Sequence, residues 1–319
     1  MFKRACFYLL SLVLVLAYVS DSTAQSWTLK MRLANQSIVG TPVYSSQSKA
    51  IVLARDGRLW EFSPSQAKDY EKISDSFQSY NQQELRSQLM QEFGPEYEVT
   101  GTGHYLVVHP KGQRNIWAHR FEDLYRSFHV YFNARGFKVQ SPQFPLVAIV
   151  TKDYDSYAKY AASERVKVSP RIVGFYSTKT NRVVMYDITA GKKDSQGWND
   201  NFATVVHEAT HQTAYNTSIH NRLSAQPVWI VEGLATMFEA PGVWNSSQFR
   251  HQKDRINRDR WASFVQHAKS RRKTGSLDSF IASDQHFKTN PNAAYAEAWA
   301  LSFYLMETSP KQYSQYLAQ

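Results

Sequence analysis

His207-Glu208-Ala209-Thr210-His211 is the stretch on which the reading of this chain turns. Phe202, Val205, Val206 and Ala209 around it have the spacing of a helix's buried stripe, and Asp200 or Asn201 stands where a helix cap belongs. Four residues of α-helix advance about 400°, so His207 and His211 stand one above the other on one face. Two imidazoles so placed can ligate one zinc ion. Glu208, beside that face, can take a proton from a metal-activated water.

Working outward, the next informative segment is Pro227-Val228-Trp229-Ile230-Val231-Glu232-Gly233-Leu234-Ala235-Thr236-Met237-Phe238, in which Glu232 is the only charged residue. Val228, Val231, Leu234, Ala235 and Phe238 make a buried stripe, Pro227 suits the first turn, and Pro241-Gly242 stops the helix. A carboxylate among such neighbours needs a cation, and zinc shared with the two histidines supplies one. The alternative is an arginine partner such as Arg222. Gly233 predicts a close approach of a second helix, since a mid-helix glycine otherwise costs about 1 kcal/mol. A metzincin would need glycine at 214 and histidine at 217; Ala214 and Thr217 exclude that pattern. Two histidines with a glutamate on a following helix make the gluzincin arrangement. Its ligands here would be His207, His211 and Glu232.

These two segments, with Tyr295-Ala296-Glu297-Ala298-Trp299-Ala300-Leu301 further on, resemble the gluzincin-type (HExxH…E) peptidase-like domains of secreted bacterial proteins, largely catalogued as a domain of unknown function. The resemblance spans about Arg171 to Met306. It implies a zinc-dependent hydrolase fold with Zn2+ on His207, His211 and Glu232, Glu208 as general base, and no particular substrate. A further donor to the developing oxyanion would complete such a site. Tyr295, Tyr176, Tyr215 and His220 are the candidates, and Tyr295 alone has the resemblance behind it. Thr236, one turn beyond Glu232, is the candidate to orient a histidine ligand. His104, His109, His119, His129, His251, His267 and His286 lack ligand spacing and read as structural or solvent-facing.

The remainder sets the frame. Lys3 and Arg4, an apolar run from Ala5 to Val19, and Ser22-Thr23-Ala24 have the layout of a signal peptide over residues 1–24, predicting export to the periplasm or beyond the cell. Cys6, the only cysteine, falls within it, so the mature chain would have no disulfide and no transmembrane segment. Residues 25–112 predict a β-rich module. Its signals are a strand at Trp27–Leu33, a hairpin of Ala50–Ala54 and Arg58–Phe62 about Asp56-Gly57, a helix at Gln82–Phe93, and a second hairpin from Tyr97 to Val108. Residues 113–319 predict a zincin-like α+β domain. Helices at Trp117–Phe132 and Tyr154–Ala162, a buried strand at Phe144–Val150 and a hairpin of Arg171–Ser177 with Arg182–Tyr186 precede an all-helical remainder. The helical pattern runs to Gln319 without a stop signal, which predicts a continuation.

With 319 residues, 43% hydrophobic and 14% aromatic, the chain can bury a substantial core, which excludes disorder. The net charge of +10 is concentrated: residues 250–273 hold Arg250, Lys253, Arg255, Arg258, Arg260, Lys269, Arg271, Arg272 and Lys273 against two aspartates. Such a segment is either a solvated helix face or a docking surface for an anionic envelope polymer or lipid; no nucleic-acid module accompanies it. Two functions are therefore expected. One is a zinc metallopeptidase whose peptide or protein substrate adds to the edge of the Arg171–Tyr186 hairpin. The other is a non-catalytic envelope binding or scaffolding protein that keeps the fold.

Overall fold

A computed structural model describes residues 27–189, 195–270 and 272–317. The expected signal segment with Cys6, Arg271 and the last two residues lie outside them, and the Asp200 side chain is likewise not described. The chain opens with β1 (Thr28–Leu33), β2 (Gln36–Ser45), β3 (Ala50–Ala54), β4 (Leu59–Phe62) and β5 (Ala67–Ser74), an antiparallel sheet in the order β4-β3-β2-β1-β5. Alternation puts Leu29, Met31, Ile38, Val52 and Phe62 into a small core of its own. Asp56-Gly57 turns the β3–β4 hairpin as the sequence predicts, with Gly57 at φ +85° where an L side chain is strained.

Next come α1 (Gln82–Phe93), β6 (Tyr97–Gly101), β7 (Tyr105–Pro110), α2 (Arg114–Asn133), β8 (Leu146–Thr151), α3 (Tyr154–Ser163), β9 (Gly174–Ser177) and β10 (Arg182–Tyr186). Helix α1 starts at a reciprocal box in which Asn81 and Glu84 each bond the other's backbone amide. Its span is the one read from the sequence. Strands β6 to β10 form a second sheet in the order β6-β7-β8-β10-β9, with β8 parallel to both β7 and β10.

This pairing runs across the expected division at residue 112. The second hairpin, β6–β7, belongs to the sheet of the following domain, because β7 hydrogen-bonds to β8 across the intervening helix α2. Helices α1 and α3 cover one face, packing Leu85, Leu89 and Tyr157 on Val147, Ile149 and Val184. The other face carries Leu146, Ala148, Val150, Val183 and Met185 into the main core. A strand buried on both faces reads as an unbroken apolar run, which is how β8 appeared in the sequence.

Helical structure follows: α4 (Ser195–Asn216), α5 (Val228–Phe238), α6 (Pro241–Trp244), α7 (Arg258–Ser270), α8 (Ser276–Ala282), α9 (Gln285–Thr289), α10 (Pro291–Thr308) and α11 (Pro310–Leu317). The whole is α+β, with sheets toward the N-terminus and helices toward the C-terminus. Because α4 starts at Ser195, Asn201 lies inside the helix and caps nothing; its amide instead donates to Asp187 at 2.8 Å. Among the described residues no helix is long and apolar enough to cross a membrane.

Candidate metal centre

Helix α4 buries Val205, Val206, Ala209 and Ala214 against the second sheet, and the Gln212 amide anchors it by donating to Val147 O at 2.9 Å and Asn181 O at 2.8 Å. That seating turns His207 and His211 toward α5. Helix α5 is buried along most of its length, and Gly233 is where α10 crosses it: a Cβ there would stand 2.6 Å from Ala298 O and closer still to Ser302 Oγ. The close approach expected of Gly233 is thus present, and it fixes the rotation that aims the neighbouring Glu232 at α4.

The result is one cluster. His207 Nε2 and His211 Nε2 are 3.1 Å apart, and Glu232 Oε2 lies 3.3 Å from the first and 3.6 Å from the second. Ligands at zinc distances of 2.0–2.1 Å on a tetrahedron are about 3.4 Å from one another, so all three separations fit one ion. Glu232 Oε2 is buried and accepts no hydrogen bond, although both imidazoles are at hand. Three electron-pair donors converging on one point are the donor set of a cation site, and among the described residues this is the one group of three or more that could hold a metal. The alternative partner Arg222 is elsewhere, donating to Thr178 O and Gly57 O.

Charge follows the geometry. Burial pushes the Glu232 carboxyl up, but His211 and His207 outweigh it and hold the group well below the usual carboxylate range. Burial opposes charge on His207, while Glu232, Glu239 and Glu208 raise it well above the ordinary imidazole value.

Around the cluster stand residues the sequence reading missed. Glu239, the residue after α5, places Oε1 2.8 Å from His207 Nδ1, and Asn257 Nδ2 donates to its other oxygen at 2.7 Å. With Nδ1–H pointing at Glu239, the Nε2 lone pair of His207 is left for a metal. Thr236, expected in this role, donates to the carbonyls of Glu232 and Gly233 in its own helix. Glu239 follows Glu232 by seven residues, two helical turns, which is the signal that could have found it. Nothing local marks Asn257.

Glu208 is held from the other side. The backbone N–H of Tyr176 donates to its Oε2 at 2.7 Å. Strand β9 reaches α4 closely because Gly174 has no side chain; a Cβ would stand 2.8 Å from Thr204 Cγ2. The Tyr176 hydroxyl donates to Asn181 Oδ1, so its side chain serves the hairpin. Tyr215 stacks on Tyr176 with ring centroids 5.7 Å apart. Tyr295, on α10, is pushed up first by burial and then by the charges of Glu232 and Glu208, and Arg260 sits over its ring at 5.3 Å. His220 is buried and pushed down to about 3 by burial and by His211, against a smaller pull from the Ile219 backbone.

In the basic segment, Arg255 pairs with Glu307, Arg272 with Glu297 and, loosely, Arg260 with Glu239. A search of curated proteins finds no match to the chain. Residues 201–319 match the family model described as "Protein of unknown function (DUF1570)". That stretch, a little over a third of the chain, carries His207, His211, Glu232 and Tyr295.

Proposed function

We propose that the protein is an exported zinc-dependent metallohydrolase of gluzincin type, acting as a peptidase outside the cytoplasm. The observation that carries this reading is the convergence of His207 Nε2, His211 Nε2 and Glu232 Oε2, with Glu208 next in sequence to a ligand and tied to the edge strand. Zinc held by these three would supply Lewis acidity, polarising the scissile carbonyl and acidifying water to a pKa of about 7.

The chain's own groups do the rest. Glu208 takes the proton of the attacking water and hands it to the leaving amine. Tyr176 N–H fixes that carboxylate, and β9, an edge strand, offers backbone groups to an extended peptide. Tyr295, whose hydroxyl is kept protonated by burial and by the charges of Glu232 and Glu208, would donate to the oxyanion.

The test is metal analysis followed by peptide hydrolysis. Wild type is expected to hold one zinc per chain and cleave peptides; Glu208→Gln should keep the zinc and lose cleavage by at least about 100-fold. Equal cleavage by both would sink the role given to Glu208, and absence of bound zinc would sink the reading.

A second reading, a non-catalytic envelope-binding protein, draws on Arg250, Lys253, Arg258, Lys269 and Lys273, which make no ion pair among the described residues. It requires salt-sensitive binding to an anionic polymer or lipid that survives chelation.

A further inference from the structure

Helix α7 is 13 residues long and buries none of them, unlike every other described helix of ten residues or more. A helix that short is marginal in water unless its apolar face packs on something. It leans on α10 through His267, 3.6 Å from Glu297. Its outer side carries Trp261, Val265 and Ala268 at the i, i+4, i+7 spacing of a single apolar stripe.

Beside that stripe, between α7 and α10, runs a groove of about 440 Å³ lined by Trp261, Phe264, Leu277, Trp299, Phe303 and Tyr304. Trp299 is buried, while Trp261 is 52% and Tyr304 62% exposed. The charged groups of the lining are already committed: Arg272 donates to Glu297 at 2.9 Å, and Glu307 accepts from Arg255 at 2.6 Å. A peptide laid in the groove would bring backbone N–H and C=O groups with little to pair them. An acyl chain brings none.

Charge decides what stands above that chain. Arg258 and Lys269 flank the Trp261 stripe on α7, and Lys273 falls between Arg272 and Leu277 of the lining. All three are exposed and make no ion pair among the described residues. The acids of α7 and α8 are Asp259, about 160° round the helix from Trp261, and Asp278. A second copy meeting this face across a twofold axis would set the cations against themselves. An anionic partner meets them. Trp and Tyr at an apolar groove, with Lys and Arg around it, are the side chains that seat a protein in a bilayer interface. We propose that this face docks the protein on the surface of an anionic phospholipid bilayer. Acyl methylenes enter the groove, and headgroups meet Arg258, Lys269 and Lys273. The inference narrows the anionic partner of the second reading to a lipid surface, and it holds whether or not the protein is a hydrolase.

The experiment cosediments the chain, without the expected signal segment, with vesicles of phosphatidylcholine alone or with about one-third phosphatidylglycerol. Binding to the anionic vesicles is expected to be at least about tenfold tighter, and to weaken as salt rises to about 0.5 M. Lys269→Glu with Lys273→Glu should weaken it about tenfold or more, and Trp261→Ser or Tyr304→Ser about fivefold each. Tyr304→Ser keeps the test clean if Trp261→Ser loosens the packing on Trp299, whose ring lies 6.3 Å away. Equal binding to both kinds of vesicle, or binding to neither, overturns the proposal. So does anionic binding unchanged in folded Trp261→Ser and Tyr304→Ser, or a dimer that Tyr304→Ser breaks. Binding of soluble polyglutamate without vesicles would keep the second reading and overturn this one. Vesicle binding by a protein that takes up no zinc would support the docking face and sink the hydrolase reading alone.

Discussion

Glu239 shows how much a single side chain decides. Its carboxylate accepts at His207 Nδ1, which would leave Nε2 for a metal, and without it the imidazole could rotate or present N–H there. Glu239→Ala is expected to weaken zinc binding about 10- to 100-fold in chelator competition, with Glu239→Gln falling between it and wild type. An unchanged affinity would reduce Glu239 to a surface contact. The clustering of His207, His211 and Glu232 was legible because helix geometry converts a spacing of four into a shared face, and because an isolated glutamate in an apolar helix demands a counter-charge. Glu239 was not read, since its partner lies 32 residues back on another helix.

Among elements, the crossing of α5 and α10 sets the position of Glu232. Gly233→Ala would drive a methyl against the Ala298 carbonyl and Ser302. The expected cost is about 1–3 kcal/mol, read as a lower urea midpoint, with a parallel loss of zinc affinity as α5 shifts. Stability lost with affinity intact would mean the helix gives way elsewhere. A second tie acts through Glu307 on α10, which accepts from Arg255 at 2.6 and 2.9 Å and lies 3.7 Å from Arg135 beyond α2. Burial pushes this carboxyl up, but Arg255 and Arg135 prevail and lower it. Its folded pKa is therefore below the unfolded one. The tie is at full strength above about pH 4.5 and is lost as pH falls through the depressed value. Glu307→Gln should lower stability by about 2 kcal/mol at pH 7, and the gap to wild type should close toward pH 3 in urea titrations. A gap that stays constant with pH would show that packing, not charge, is what the residue contributes. Element spans such as α1 and the β3–β4 hairpin were legible because caps and turn residues act within a few positions of themselves.

At the scale of the molecule, the second sheet begins at β6 and is expected to unfold as one unit. A fragment starting at Gln113 lacks β6 and β7, leaving β8 with an open edge where a parallel partner belongs. It is expected to aggregate or unfold without a cooperative transition. A fragment starting at Ser79 keeps the sheet whole and should melt cooperatively, though below the full chain, since Leu59 N–H to Lys179 O and Arg222 to Gly57 O are gone. Circular dichroism melts of the two separate these outcomes; cooperative melting by both would restore a boundary near residue 112. The sequence by itself determined many of the elements, though not strands β2 and β5, together with the paired histidines on one helix face and the lone carboxylate of the next helix. Spacing and turn chemistry are local, and the chain states them outright. Only the tertiary structure decided that β7 pairs with β8, and that Glu239, itself held by Asn257, meets His207. Periodicity says that a face will be buried, but the partner that buries it can come from anywhere along the chain.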